Sequence, residues 1–305
     1  MILKETTICT EPANPTVAII GAGPAGLTAA IQLKRASWNP VIYESDCPGG
    51  LLRSAGCIDN YPGFPDGIAG PLLADRIVDH AHGLSVEITH ATVTRLSFSE
   101  NRFLLETASG IRRFDTLVVA TGTIPRPLDF PVDAPAGVVV RDIRAIAPGS
   151  GRRIAIIGGG DAAFDYAIRL ATHDTVVILH RSAQPRCLSR LLGIARRMPN
   201  LVVQPNISID RIDSMDDGAV IRCIEGQRRF NLDAAVVLVA TGRIPATGFI
   251  AIADADRFTL ETACRLLFAG DVKNGILRQC SIAVGDGMQA AMQLTVKNHE
   301  WIRVE

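Results

Sequence analysis

The chain has 305 residues, of which 48% are apolar, 20% charged and 5% aromatic, so its composition is that of a folded globular protein and excludes disordered and fibrous architectures. Lys and Arg number 31, as do Asp and Glu, which leaves no net charge to attract nucleic acid or an anionic membrane. No apolar run approaches the roughly 18 residues of a spanning helix, and residues 1–15 lack the basic start and apolar centre of a signal peptide. We expect a cytoplasmic protein that binds neither nucleic acid nor membrane.

An internal repeat organises the chain. Residues 17–45 align without a gap on residues 154–182, and each copy reads as an apolar strand, a glycine-rich turn, a helix of about four turns and a second apolar strand. This is the pattern of a βαβ unit with buried, parallel strands. A second repeated motif predicts the closing strand of each unit. It reads LVVATGTIP at 117–125 and VLVATGRIP at 237–245.

Each unit also contains β-rich segments that predict small antiparallel additions to the parallel sheet. These segments are 86–98 and 103–107 in the first unit, and 207–214 and 219–224 in the second. The return segment from about residue 246 has no glycine-rich start of its own, so we expect it to complete the first domain.

The predicted fold class is therefore α/β, with two Rossmann-like dinucleotide-binding domains in three layers. The first domain takes residues 1–122 and 246–305, and the second, residues 123–245, is inserted into it. The Pro-containing crossings at 123–126 and 243–247 are candidate hinges.

The first glycine motif has a physical role because it lies between a predicted strand and helix. Gly21, Gly23 and Gly26 permit a tight turn and a close approach of phosphate to the helix N-terminus. Glu44 ends the next strand, where a carboxylate accepts hydrogen bonds from a ribose. The motif predicts a dinucleotide site.

The second motif keeps Gly158 and Gly160 but differs at the strand end, where Arg181 aligns with Glu44. An arginine there, with Arg186 nearby, can bind a 2′-phosphate through charge-assisted hydrogen bonds, whereas a carboxylate would repel that phosphate. The exchange favours NADPH over NADH, with NADH as an open alternative. Arg181 and Arg186 are otherwise ordinary surface arginines.

Taken together, several motifs resemble the low-molecular-weight thioredoxin reductases over about residues 16–296. They are GAGPAG at 21–26, GG at 49–50, NYPGFPDGIAGPLL at 60–73, GGGDAA at 158–163, HRS at 180–182 and AGDVKNGILRQCSIAVGDGMQAA at 269–291. The resemblance implies a homodimeric FAD enzyme with an NADPH domain inserted into the FAD domain, the two domains rotating relative to one another during turnover.

The resemblance also implies which residues contact each cofactor. For FAD these are Gly21, Gly23, Pro24, Ala25, Gly26, Glu44, Gly49, Gly50, Leu51, Asn60, Val93, Gly122, Asp271, Arg278, Gln279 and Cys280. For NADPH they are Gly158, Gly160, Asp161, Ala162, Arg181, Arg186 and Gly242.

Within these sets Asn60 is expected beside the flavin ring and Asp271 on the ribityl chain, although an acid at that strand end also reads as a helix cap. Asp161 and Asp165 also read as acids that stabilise a helix N-terminus. The family usually has a second arginine where this chain has Ser182, which weakens the expected NADPH preference without reversing it.

The redox centre departs from the family pattern. Thioredoxin reductases carry a CxxC motif just upstream of the second glycine motif, but residues 137–147 of this chain contain no cysteine. Disulfide exchange needs a thiolate, so the family's usual mechanism is excluded. Cys57 follows Gly49 and Gly50, as a cysteine does in a related group of reductases. It is a candidate redox thiol, either alone or paired with Cys47. The alternative interpretation is that Cys57 is a small buried residue that packs as a hydrophobic side chain.

Three functions follow as hypotheses. The first is an enzyme that transfers hydride from NADPH to FAD and delivers electrons to ferredoxin or flavodoxin, a quinone, a small molecule or oxygen. The second is a disulfide reductase that uses Cys57, and the third a flavin- and NADPH-binding sensor with little turnover. No metal site is expected, because His80, His82 and His90 have no cysteine or acid at ligand spacing.

Overall fold

The computed structural model describes residues 15–298. The predictions that concern the absence of a signal peptide and the outermost ends of the first domain lie outside these residues. Within them, no helix is long and apolar enough to cross a membrane.

The strands are short and their bounds are as follows: β1 Val17–Ile20, β2 Val41–Glu44, β3 Cys57–Ile58, β4 Ile68–Ala69, β5 Glu87–His90, β6 Arg95–Ser99, β7 Arg102–Thr107, β8 Gly110–Phe114, β9 Thr116–Val119, β10 Thr123–Pro125, β11 Val132–Asp133, β12 Val139–Val140, β13 Arg153–Ile157, β14 Thr175–Leu179, β15 Leu201–Gln204, β16 Ser208–Met215, β17 Gly218–Glu225, β18 Arg228–Ala234, β19 Val236–Val239, β20 Arg243–Pro245 and β21 Leu266–Phe268. The helices are α1 Pro24–Arg35, α2 Gly70–Gly83, α3 Asp161–Leu170, α4 Ser189–Ala195, α5 Asp254–Thr262 and α6 Cys280–Asn298. Short 3₁₀ turns cover Gly50–Ser54, Ile143–Ala145 and Gly270–Val272.

Two five-stranded parallel sheets form the frame of the molecule. The first has the order β21-β9-β1-β2-β5 and the second the order β12-β19-β13-β14-β15. This confirms both predicted βαβ units. The helices are shorter than predicted, because α1 has 12 residues and α3 has 10.

Alternation along the central strands divides the core into layers. Val17 and Ile19 pack against α1 and α6, whereas Ala18 and Ile20 face the opposite core. Ile154 and Ile156 of β13 likewise face the helices of the second unit. A strand buried on both faces must be apolar throughout, which is why these strands read as unbroken apolar runs.

The antiparallel additions form the third layer. Strands β6-β7-β8 make an antiparallel sheet over the first unit, and β16-β17-β18 make one over the second, as predicted. The second sheet has a fourth strand, β11, which pairs in parallel with β16. One predicted segment is divided differently. Residues 86–98 were expected in the antiparallel addition, but β5 pairs in parallel with β2, and only β6 belongs to the antiparallel sheet.

The two crossings lie side by side. Strands β10 and β20 pair antiparallel, with Thr123 opposite Pro245. Arg243 donates to the Oγ1 of Thr123 at 2.9 Å and to its carbonyl at 2.6 Å. The domain boundaries at these crossings remain a prediction from the sequence.

Candidate active site

The first glycine turn joins β1 to α1 in a space that excludes side chains. A Cβ on Gly21, whose φ is +104°, would lie 2.4 Å from the carbonyl oxygen of Ala120, and one on Gly26 would lie 1.9 Å from that of Gly21. Gly23 differs, since no atom lies within 4 Å of the position of its Cβ. Gly23 caps α1 without a side-chain hydrogen bond, so the free N–H groups of the first turn face open space that suits a phosphate.

Glu44 stands beside this turn, at the end of β2. Its Oε2 accepts from the backbone N–H of Ala22 at 2.6 Å and its Oε1 from that of Asp46 at 2.9 Å. These bonds fix the carboxylate on the cavity wall, and each oxygen keeps a further lone pair for a ribose hydroxyl.

A cavity of about 640 Å³ runs from this turn toward the start of α6. Of the residues expected to contact FAD, it is lined by Gly21, Gly23, Pro24, Ala25, Glu44, Gly50, Leu51, Val93, Gly122, Asp271, Arg278, Gln279 and Cys280. Gly26, Gly49 and Asn60 lie beside it. Gly49 donates its N–H to the carbonyl of Ala22 at 2.7 Å, and Asn60 Nδ2 donates to Oε1 of Gln279 at 3.0 Å.

Two further groups of this lining, Asp271 and Cys280, are acidic and weakly acidic. Asp271 is half-buried, and desolvation raises its pKa despite the nearby Arg278 and Arg243. Within the described range its carboxylate accepts no hydrogen bond from another residue. Burial, together with the charge of Asp271, raises the pKa of Cys280 to about 11.

These features fit the FAD that the family resemblance implies. The open space over Gly23 suits a pyrophosphate, Glu44 suits a ribose, and the unsatisfied Asp271 suits a hydroxylated chain. Both carboxylates line one cavity, and two strands separate β2, which ends at Glu44, from β21, which precedes Asp271.

The second glycine turn opens on a separate cavity of about 790 Å³. Five residues predicted for NADPH line it: Gly158, Gly160, Arg181, Arg186 and Gly242. Asp161 and Ala162 lie outside. The Asp161 Oδ1 instead accepts from the backbone N–H of Leu188 at 2.8 Å, which holds the following loop against α3.

Three arginines line the second cavity, namely Arg126, Arg181 and Arg186. None of their side chains forms an ion pair within residues 15–298. The one acid of the lining is Asp129. Unpaired guanidinium groups at a glycine turn suit a ligand with several phosphates.

His180 also lies in this wall and is buried, and among the described residues neither ring nitrogen has a hydrogen-bond partner. Desolvation lowers its pKa, so the ring is neutral near pH 7.

The segment at the place of the family's redox disulfide reaches the first cavity. Arg144, in the 3₁₀ turn after Val140, is part of the cavity lining. The described cysteines are all free, and Cys57 is exposed on β3 outside the lining, whereas Cys47 is part of it.

Arg126, Arg144 and Arg243 were not predicted as site residues. Arg243 directly follows one Ala-Thr-Gly strand end, and Arg126 lies four residues after the other, so both belong to the crossings, a signal that sequence reasoning passes over. No local pattern marks Arg144.

Comparison with known proteins identifies the family of this chain and several relatives. The sequence model of the pyridine nucleotide-disulphide oxidoreductase family matches residues 15–287. The mitochondrial thioredoxin reductase 1 of Arabidopsis thaliana is 31% identical and covers 92% of this chain and 83% of its own length. A 34.2 kDa protein in the rubredoxin operon of Clostridium pasteurianum is 29% identical over 90% of this chain and 94% of its own.

The fold is shared with solved structures. The crystal structure of Lactococcus lactis thioredoxin reductase in its FR conformation superimposes with a TM-score of 0.81 at 25% identity, and covers 94% of this chain and 100% of that one. The match confirms the predicted fold class. Thioredoxin reductases of this family use FAD and NADPH, the two cofactors that the cavities fit. This protein therefore belongs to the pyridine nucleotide-disulphide oxidoreductase family, as a thioredoxin-reductase-like, NAD(P)H-dependent flavoprotein oxidoreductase.

Proposed function

We propose that this protein oxidises NADPH with FAD and passes the electrons to an acceptor that is not a dithiol. The observation that carries the proposal is the segment 137–147. It extends Arg144, and no cysteine, into the wall of the first cavity, at the place where thioredoxin reductases carry their disulfide. Without a thiolate there, electrons cannot leave by disulfide exchange.

The thiols that do line the first cavity support the same conclusion. They are Cys47 and Cys280, which come from different parts of the chain and are not joined. With a pKa of about 11, Cys280 is protonated at neutral pH and is a poor nucleophile. Cys57 lies outside the lining, which disfavours the alternative of a reductase based on that thiol.

The chain's own residues would hold and orient the two cofactors. Glu44 and Asp271 would bind the ribose and the ribityl chain of FAD, and Arg181 and Arg186 the phosphates of NADPH. When bound, FAD supplies a ring that accepts hydride from nicotinamide. The protein's contribution is the placement of that ring and the polarity around it.

An anaerobic titration with NADPH, followed by flavin absorbance, tests the proposal. We expect full bleaching after one NADPH per FAD, which is two electrons, because the site has no second redox centre. NADH in parallel is expected to require a higher concentration for the same rate of bleaching.

Four electrons per FAD would contradict the proposal, since they require a disulfide. In that case the variant Cys47→Ser/Cys57→Ser shows whether these two thiols form it, because its count would fall to two. The control is Cys264→Ser, a cysteine outside both cavities, whose count should equal that of the unaltered protein. Absence of bleaching would instead favour a sensor.

The relative in the rubredoxin operon supports a small redox protein as the acceptor. Ferredoxin, flavodoxin, a quinone, free flavin and oxygen can be compared as acceptors at equal NADPH. Reduction of thioredoxin by this protein alone would contradict the proposal.

We also propose that the protein is a homodimer. Residues of α6 that are exposed form one face of the helix, with Ile282, Met292 and Val296 as its large apolar members. The other exposed positions whose side chains are described are Gly285, Gln289 and Gln293, so the face carries no charge. An uncharged, partly apolar helix face is suited to self-association.

A further inference from the structure

The second unit carries a strongly basic stretch of sequence. Residues 175–209 contain five arginines and no acid. Two of the arginines, Arg181 and Arg186, line the second cavity. The other three, Arg190, Arg196 and Arg197, belong to α4 and to the turn that ends it, and they line neither cavity. The two nucleotide cavities therefore do not account for the charge of these three residues, which are called the α4 arginines below.

The α4 arginines share the exposed side of their helix. Arg190 and Arg197 are seven residues apart, which is about two helical turns, and all three arginines are exposed. Ala195, on the opposite side, is fully buried. Arg196 and Arg197 form no ion pair with any residue of the described chain. The exposed side of α4 thus carries positive charge that its own neighbours do not neutralise.

This basic side lies at the border between the two units. Arg190 forms an ion pair with Asp59 of the first unit. Asp59 directly follows Ile58, which lines the first cavity. The next residue, Asn60, donates from Nδ2 to Oε1 of Gln279 at 3.0 Å, and Gln279 is also part of the cavity lining. The α4 arginines are therefore joined to the wall of the first cavity through Asp59 and Asn60.

An exposed apolar pair lies close to the same wall. Ile276 and Leu277 come just before Gln279 in the chain, and 91% and 65% of their respective surfaces are exposed. Adjacent large apolar side chains with this exposure suit the apolar part of a protein interface, in which arginine is also enriched. Nucleic acid is bound mainly through its phosphates and would gain little from them. The pair therefore favours a protein partner.

We propose that the α4 arginines, together with Ile276 and Leu277, form a docking surface for the electron acceptor, and that this acceptor is a small acidic electron-carrier protein. The inference rests on the proposed function, which supplies the electrons. Acidic side chains of the carrier pair with the arginines, and its apolar surface packs on Ile276 and Leu277. A partner that contacts both features covers Asp59 and Asn60, beside the first cavity. Because each NADPH supplies two electrons, one turnover reduces two one-electron carriers and releases one proton.

A second copy of this chain suits the surface less well than an acidic carrier. A two-fold interface pairs a surface with itself, which would bring the α4 arginines of two copies together, and like charges repel. The uncharged exposed face of α6 is better suited to that contact. Opposite charge on the carrier, by contrast, speeds its approach at low salt.

The test measures binding of an oxidised carrier to the FAD-loaded full chain, without NADPH, so that the result does not depend on turnover. The probes are a flavodoxin and a plant-type ferredoxin, titrated by calorimetry at low and at physiological salt. The variant Arg196→Glu/Arg197→Glu reverses two charges of the surface and leaves the lining of both cavities unaltered. We expect a roughly tenfold rise in Kd at low salt and a smaller rise at physiological salt, because exposed charges are screened.

Two matched controls separate this surface from the rest of the molecule. Arg228→Glu/Arg229→Glu makes the same change in net charge at an exposed arginine pair of β18, and its Kd should equal that of the unaltered protein. Ile276→Ser removes an apolar contact, so we expect a several-fold rise in Kd that is similar at both salt concentrations. Its control is Phe258→Ser, at an exposed apolar residue of α5, which should leave the Kd unchanged.

Turnover with NADPH distinguishes failure of this inference from failure of the proposed function. With menadione, a small uncharged quinone, as acceptor, Arg196→Glu/Arg197→Glu should be as active as the unaltered protein, whereas its kcat/KM for the carriers should fall about tenfold. Menadione reduction without binding of either carrier would overturn the inference and leave the proposed function standing. Carrier binding at this surface without any NADPH oxidation would do the reverse.

Three further results would overturn the docking surface. One is a folded Arg196→Glu/Arg197→Glu protein that binds both carriers as tightly as the unaltered chain. Another is an equal loss of affinity in the two arginine-pair variants, which would assign the effect to net charge alone. The third is a change of oligomeric state in Arg196→Glu/Arg197→Glu, which would assign the surface to self-association. If charge reversal prevents folding, Arg196→Gln/Arg197→Gln tests the same contacts with a smaller expected rise in Kd.

Discussion

At the scale of individual residues, the two units differ in the charge that follows their second strand. The two units have the same strand–glycine–helix geometry, but a carboxylate ends β2 and a guanidinium follows β14. Glu44 is held by two backbone N–H groups, whereas Arg181 has no ion-pair partner within the described chain. The first position therefore suits a ribose with free hydroxyls, and the second suits a phosphorylated one.

Arg181→Ser tests this reading of the second cavity. Loss of one charge-assisted hydrogen bond, worth about 1.5–3 kcal/mol, should raise the KM for NADPH by roughly 10- to 100-fold and leave the KM for NADH nearly unchanged. Initial rates of flavin reduction at varied nucleotide concentration provide the measurement. Arg228→Ser, at an exposed arginine of β18, is the matched control. An equal rise for both nucleotides would show that Arg181 does not read the 2′-phosphate.

The sequence predicts some residues of the candidate sites and misses others. Glycines, strand-end acids and strand-end arginines follow local rules, so Gly23, Glu44 and Arg181 could be placed in advance. Arg144 could not, because only the packing of one unit on the other carries its side chain to the first cavity.

Among the elements, the packing of α1 against α6 positions the first site. A Cβ on Gly287 of α6 would lie 2.1 Å from the carbonyl oxygen of Ala25, so the two helix backbones touch. Ala25 in turn lines the cavity. The return segment thereby supports the glycine turn from behind, although it lies more than two hundred residues away in the sequence.

Gly287→Ala should push these helices apart. We expect a loss of about 1–3 kcal/mol in the free energy of unfolding, as for other overpacked sites, and weaker retention of FAD. Thermal unfolding, monitored by the rise in fluorescence of released flavin, gives both quantities. Gly193→Ala in α4, where no atom lies within 4 Å of the new Cβ, should be neutral or stabilising by about 0.5–1 kcal/mol. A Gly287→Ala protein as stable as this control would refute the close-contact argument.

The division of residues 86–98 shows where periodicity is ambiguous at the scale of elements. A short β-rich run has the same pattern at the edge of a parallel sheet as in an antiparallel hairpin. Strand β5 pairs in parallel with β2, and no local sequence pattern predicts which strand it pairs with.

At the scale of the whole molecule, the exposed face of α6 is the surface through which we propose that two copies of the chain associate. Met292→Glu places a charge on this face, at a residue whose surface is 48% exposed. Because a buried, unpaired carboxylate at a two-fold interface would face its own copy, we expect a monomer by sedimentation velocity, with FAD content unchanged.

The control for this variant is Phe258→Glu, at an exposed apolar residue of α5, and it should remain a dimer. A Met292→Glu protein that sediments as a dimer would place the interface elsewhere.

The sequence by itself determined that the chain has two βαβ units with glycine-rich turns, and that residues 137–147 contain no cysteine. Each of these depends on residues within about thirty positions of one another, where turn sterics and strand burial are local. The tertiary structure alone decided that Asn60 binds Gln279, that Asp165 receives the amide of Gly56, and that Arg144 lines the first cavity. These contacts join distant segments: the return segment packs on the first unit at Asn60, and the second unit packs on the first at Gly56 and through Arg144.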